Sequence, residues 1–215
     1  MFAPLVRGIF LIELPDAVPM AASASRSVAR RIWRGRVKIP SKLGERAAQL
    51  GFQTPPTPGR VHSLGRFEDE GVLLALQARL PAAIVSALRP EFEWYGCRGA
   101  GFHTDAHYDA VLFGAWLLAG PPRDIAFAEP PLQLSCSPGD AVIFDPFQPH
   151  AVLDPGQASY QRDRYLDAAA SVFIGFELAL SDVVRRQFGI GLAIPGAFSI
   201  GSTTPVNAET GQIVR

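Results

Sequence analysis

The chain has 215 residues, 20 basic against 20 acidic side chains, and is 48% apolar and 19% charged. That composition excludes disordered and fibrous classes and fits one soluble domain, long enough to bury most of the surface its unfolded form exposes. No apolar run approaches the roughly 20 residues of a membrane span, and the two cysteines, Cys97 and Cys136, are too few for a disulfide framework and belong to no CxxC pair.

The first residues, MFAPLVRGIFLIELP, look superficially like a signal sequence, but the apolar stretch Gly8 to Ile12 is cut by Glu13 and is too short for a signal core. Leu5 to Leu14 therefore reads as a strand, and the protein as cytoplasmic. Ala21 to Lys38 is predicted as a helix in which Arg26, Arg30, Arg34 and Lys38 recur every four residues and share a face. That stripe is either a solvated face, a face docked on the acidic remainder, or a surface for nucleic acid or phosphate. Residues 1–66 carry 11 basic and 3 acidic side chains and residues 67–215 carry 9 and 17, so the two parts attract each other. Gln53 to Arg60, QTPPTPGR, is a loop.

Asp69 to Leu88 has helical spacing of leucine and alanine, with Pro81 opening a second helix. From Phe92 the texture changes. FEWYGCR, DAVLFGAWLLAG, DIAFA, LQLSC, DAVIFD, HAVLD and ASVFIGFELAL are seven short strands punctuated by Pro, Gly and Asp. They predict a mostly β sandwich or barrel with flanking helices. A helix at Asp182 to Phe188 and a polar tail close the chain. The whole is one domain, with an N-terminal extension (1–68), supporting helices (69–90), a β core (91–180) and a C-terminal helix and tail (181–215).

Three of the four histidines fall in the β-rich half. His103 and Asp105 are two apart, so on extended backbone their side chains leave one face and can share a ligand. His150 opens a later strand. Two imidazoles and one carboxylate form a facial triad that leaves three coordination positions open, which suits non-haem Fe(II), whereas zinc is more often closed by a fourth residue. An H-x-D pair alone is common, and a lone strand histidine is more often packed than metallated. His107 continues the alternation toward substrate, a supporting contact or a wet barrel mouth. Asp109 and Asp145 read as turn or surface carboxylates.

The flanks add a resemblance. Tyr95 and Gly99 precede Phe102-His103-Thr104-Asp105; Trp116-Leu117-Leu118, Pro138-Gly139-Asp140-Ala141-Val142-Ile143-Phe144 and His150-Ala151-Val152 follow, with 45 residues between Asp105 and His150. The segment Glu93 to Asp154 resembles the core of the Fe(II)- and 2-oxoglutarate-dependent oxygenases. The resemblance implies a double-stranded β-helix, a cupin-like jelly roll, with Fe(II) held by His103, Asp105 and His150. It further implies 2-oxoglutarate and O2 as co-substrates, released as succinate and CO2 while a C–H bond of a small molecule or peptidyl side chain is hydroxylated.

Such enzymes usually hold the far carboxylate of 2-oxoglutarate with an arginine on the strand after the second histidine, two residues before a serine or threonine. Here Ser171 is present but Ala169 stands in the arginine's place. Arg164, then Arg162, in the preceding loop are the expected replacements, with Arg98 and Arg123 as more distant ones. The resemblance gives Tyr95 a hydrogen bond to the co-substrate, against a plain core role, and leaves Trp116 near substrate or filling the barrel. Two other readings compete: a metal-binding or ligand-sensing cupin-like protein without turnover, kept open by the missing strand arginine, and an oxidative nucleic-acid dealkylase, suggested by the basic stripe. Arg162 and Arg164 do not fit the R-x5-R spacing of the dealkylases, which argues against nucleic acid.

Overall fold

A computed structural model describes residues 10–14, 20–23, 26–105, 108–196, 198–200 and 204–214. Along the chain run β1 (Phe10–Glu13), β2 (Met20–Ser23), β3 (Arg26–Ser27), β4 (Arg31–Arg36), α1 (Ser41–Gln53), β5 (Val61–Glu68), α2 (Glu70–Gln77), β6 (Leu88–Cys97), β7 (Ala100–His103), β8 (Val111–Ala119), β9 (Arg123–Phe127), β10 (Leu132–Cys136), β11 (Asp140–Phe144), β12 (His150–Leu153), β13 (Ser171–Ala179), α3 (Asp182–Phe188) and β14 (Phe198–Ser199). The fold is mostly β. Each of the seven strands expected from Phe92 onward is present, as is α3. The extra strand β7, which ends on His103, was not separated from its neighbour in the sequence.

Two antiparallel sheets carry the architecture. One has the order β1-β4-β11-β8-β13-β6-β5, the other β10-β9-β12-β7; a small third sheet joins β14, β2 and β3. Among the last eight strands of the two large sheets the pairings are nested: β9 with β10, β8 with β11, β7 with β12 and β6 with β13.

Strand alternation decides what each face buries. Leu112, Trp116 and Leu118 of β8, Ala141 and Ile143 of β11, and Val172, Ile174 and Phe176 of β13 pack under Ala47 and Leu50 of α1, Val72 and Leu76 of α2, and Val184 and Phe188 of α3. The intervening Leu117, Val142, Phe144 and Phe173 point the other way, against Ile125, Phe127, Leu134 and Val152 of the four-stranded sheet. The central strands are thus covered on both sides, which is why they read as continuous apolar runs. Trp116 lies on the helix-covered side by this alternation and is fully buried. It does not fill the space between the sheets, and it is not among the residues that line the cavity beside His103 and His150.

The expected helix over Ala21 to Lys38 is overturned: the described part of this stretch is β2, β3 and β4. Arginine and alanine favour helix, but β4 sits between β1 and β11 with Ile32 buried toward the sandwich interior and Trp33 toward the helices, so tertiary pairing overrides local preference. The four-residue recurrence of basic side chains is no shared face. Arg26 is buried against Asp145, Arg34 bonds the Ser135 carbonyl, and Arg30 and Lys38 are exposed. Beyond α2 the second predicted helix is reduced to a single 3-10 turn at Val85–Ala87. Helix α1 was not foreseen, because Gly44 and Gly51 interrupt its pattern.

Capping explains where the shorter helices begin. The Asp69 carboxylate accepts from the Val72 amide at 2.9 Å and the Ser181 hydroxyl from Val184 at 3.3 Å. Gly189, in the left-handed region at φ 67°, ends α3. No helix among the described residues is long and apolar enough to cross a membrane.

Candidate metal centre

The nested pairing of β7 with β12 sets His103 directly opposite His150. Asp105 follows two residues after His103, just past the strand end. One ligand atom from each of the three residues lies within 4.8 Å of the others. His103 Nε2 is 3.8 Å from one Asp105 carboxylate oxygen and His150 Nε2 is 3.5 Å from the other. The group expected from the sequence is therefore brought together.

Each imidazole is oriented from behind. His103 Nδ1 bonds the Gly101 carbonyl and His150 Nδ1 the Gln148 carbonyl, both at 2.8 Å. A carbonyl only accepts, so Nδ1 carries the proton and the Nε2 lone pair is left for a ligand. Backing of this kind accompanies metal-binding histidines. Burial holds the His103 pKa below its usual range, the neighbouring His150 adds to this, and Asp105 partly opposes it; the neutral form that binds a cation is favoured. Phe144 meets the His150 ring edge-on at 4.8 Å, fixing the ring on its other side. The donor set thus fits one divalent ion with open positions.

The triad faces a cavity of about 640 Å3, within the usual range for small-molecule sites. Its inner wall is apolar, formed by Ala115, Ile125, Phe144, Val152 and Phe173, and its rim carries Arg60, Ser63, Arg66, Glu93, Tyr95 and Tyr108. Tyr95 lies here as expected, but its hydroxyl donates to Glu93 at 2.8 Å, and Ser63 donates to the same carboxylate. Burial, chiefly, pushes the Tyr95 hydroxyl far above its ordinary range, so it remains a donor.

The arginines are distributed differently from the expectation. Arg162 and Arg164 fall in an exposed 3-10 turn (Arg162–Tyr165), and Arg164 bonds the Gln157 side chain; neither lines the cavity. Arg98 is engaged by the carbonyls of Pro55 and Ala168. Arg123 is buried, bonding Asp154, the Ala169 carbonyl at 2.7 Å and the Ser171 hydroxyl at 3.0 Å. Ser171 is spent there and on the Pro121 carbonyl, away from the cavity. Of the two lining arginines, Arg66 is paired with Glu91 at 2.8 Å and Glu93 at 3.4 Å. Arg60 has no hydrogen-bond or ion-pair partner among the described residues. In the sequence, only its place at the end of the proline-rich loop marks it. His107 lies outside the described residues.

Asp145 stands at a turn, as expected, but not at the surface: it is fully buried and ion-paired. Compared with known proteins, the sequence matches no family model and no curated protein.

Proposed function

We propose that the protein is a mononuclear non-haem Fe(II) oxygenase that uses 2-oxoglutarate and O2 to hydroxylate a small molecule or an amino-acid side chain. The observation that carries this is the convergence of two imidazoles, each backed by a carbonyl, and one carboxylate on a single point that faces a largely apolar cavity. The nested pairing of eight strands in two facing sheets supports a double-stranded β-helix, with the triad on β7, the residues just after it, and β12.

Fe(II) held there would supply oxygen activation, coupling the decarboxylation of 2-oxoglutarate to oxidation of a C–H bond. The protein's own contribution is separable into parts. His103, Asp105 and His150 would hold the ion. Ile125, Phe144, Val152 and Phe173 exclude water from the reaction space. Arg60, uncompensated among the described residues of the cavity, pairs with the far carboxylate of 2-oxoglutarate, a role for which guanidinium geometry is suited. The Ser63–Glu93–Tyr95 network keeps the rim polar and fixed.

The absence of an arginine on β13 favours a second reading, a metal-binding cupin-like protein without turnover. Anaerobic titration separates the two. Fe(II) followed by 2-oxoglutarate should give a weak visible charge-transfer band, and admitting air should yield succinate. Metal binding without band or succinate supports the second reading and ends the first.

A further inference from the structure

We infer that the buried Arg26–Asp145 ion pair is a positioning device that sets the geometry of two metal ligands; the inference rests on the triad being a metal site. Asp145 is the first residue of the turn between β11 and β12 and is wholly buried, as is Arg26. Arg26 donates to both carboxylate oxygens, at 2.7 and 3.2 Å. The same oxygens accept from the backbone amides of Ala29 at 2.9 Å and Phe147 at 3.3 Å. The guanidinium lies 4.9 Å over the Phe147 ring.

One carboxylate therefore gathers four donors and dictates the path of residues 145–149. That turn holds the ligands by its carbonyls. Gln148, whose amide bonds the Asp145 carbonyl at 3.0 Å, turns its own carbonyl to His150 Nδ1 at 2.8 Å. The carbonyl of Pro146 accepts from the Asp105 amide at 2.9 Å. His150 and Asp105 come from segments far apart in the chain, and this turn is where their positions are referred to one another. His103 is held separately, by Gly101 of its own strand.

A buried ion pair is weak evidence for stability, since an apolar pair of similar volume often serves as well. What an apolar pair cannot do is direct two backbone amides and the turn that follows. The pair also couples the N-terminal β3 to the metal site across 119 residues of sequence.

The test uses the full chain and Co(II) as the probe, read by its absorption spectrum and by titration. Asp145→Asn keeps the shape and loses the charge; Arg26→Lys keeps the charge and loses the fork. Both should weaken Co(II) binding by about 10- to 100-fold, the usual loss for a supporting contact, and shift the visible bands of the bound ion. Val28→Ala, which thins the same small core beside Phe147, is the control for destabilisation alone and should leave affinity and spectrum unchanged. Wild-type affinity and spectrum in folded Asp145→Asn and Arg26→Lys overturn the inference while leaving the metal site intact. Equal losses in Val28→Ala also overturn it. No Co(II) binding by the wild-type chain removes the site itself, and the inference with it. If Asp145→Asn fails to fold, Arg26→Lys decides the matter alone.

Discussion

His103 and His150 stand opposite each other on paired strands with ring centroids 4.4 Å apart, both Nδ1 protons engaged by carbonyls two residues upstream. Two imidazole Nε2 atoms and a carboxylate so placed would repay their desolvation by sharing a cation. Added Mn(II) or Co(II) at about 100 times its Kd should stabilise the protein by about 2.7 kcal/mol, seen as a rise in the thermal unfolding midpoint. Asp105→Ala and His150→Ala should each lose more than the roughly 100-fold of a supporting contact and abolish that rise. A wild-type midpoint shift in either variant would remove the triad.

Among the described residues, Arg60 is the cavity cation without an internal partner. Arg60→Ala should raise the 2-oxoglutarate requirement about 10- to 100-fold, the worth of a charge-assisted hydrogen bond, with Fe(II) affinity unchanged. Arg60→Lys should recover part of the loss. Arg164→Ala, which removes only an exposed contact to Gln157, should behave as wild type. If Arg164→Ala carries the defect and Arg60→Ala does not, the carboxylate partner has been misassigned.

What was legible in the sequence was local. Strands β8, β9, β11, β12 and β13 announced themselves because both of their faces are largely buried, and His103 with Asp105 because extended spacing puts them on one side. Long-range pairings left no such trace. Nothing near Asp145 marks it as buried, since its partner Arg26 lies 119 residues away, and Arg60 becomes notable only once Arg66, Arg98 and Arg123 are seen to be occupied. The helical stripe from Arg26 to Lys38 failed for a related reason. A strand with Ile32 and Trp33 buried on opposite faces shows no clean alternation, so the recurrence of arginine was the strongest pattern left.

Trp116 tests the assignment of faces. Its ring is fully buried among the helices, while its neighbour Ala115 lines the cavity. Trp116→Ala should cost about 3–5 kcal/mol of stability through the void it leaves, measured by denaturant unfolding. At temperatures where the variant stays folded its metal affinity should match the wild type. A selective loss of metal or co-substrate binding would put the indole on the wrong side of the sheet.

The thiols give a prediction in pH. Burial pushes Cys97 up to about 11 and Cys136 up to about 12, so both are neutral and unreactive in the native state. Ellman's reagent at about pH 8 should find no thiol in the native protein and two after denaturation. The raised native values mean that the fold's advantage is complete below the unfolded thiol value, about 8.5, and declines above it as the unfolded chain sheds protons that the native chain keeps. Between about pH 8.5 and 9.5, below the ordinary tyrosine range, each thiol should remove about 1 kcal/mol from the unfolding free energy. The Cys97→Ala, Cys136→Ala double variant should lose that part of the slope. An unchanged slope would mean that the native thiols ionise as readily as exposed ones.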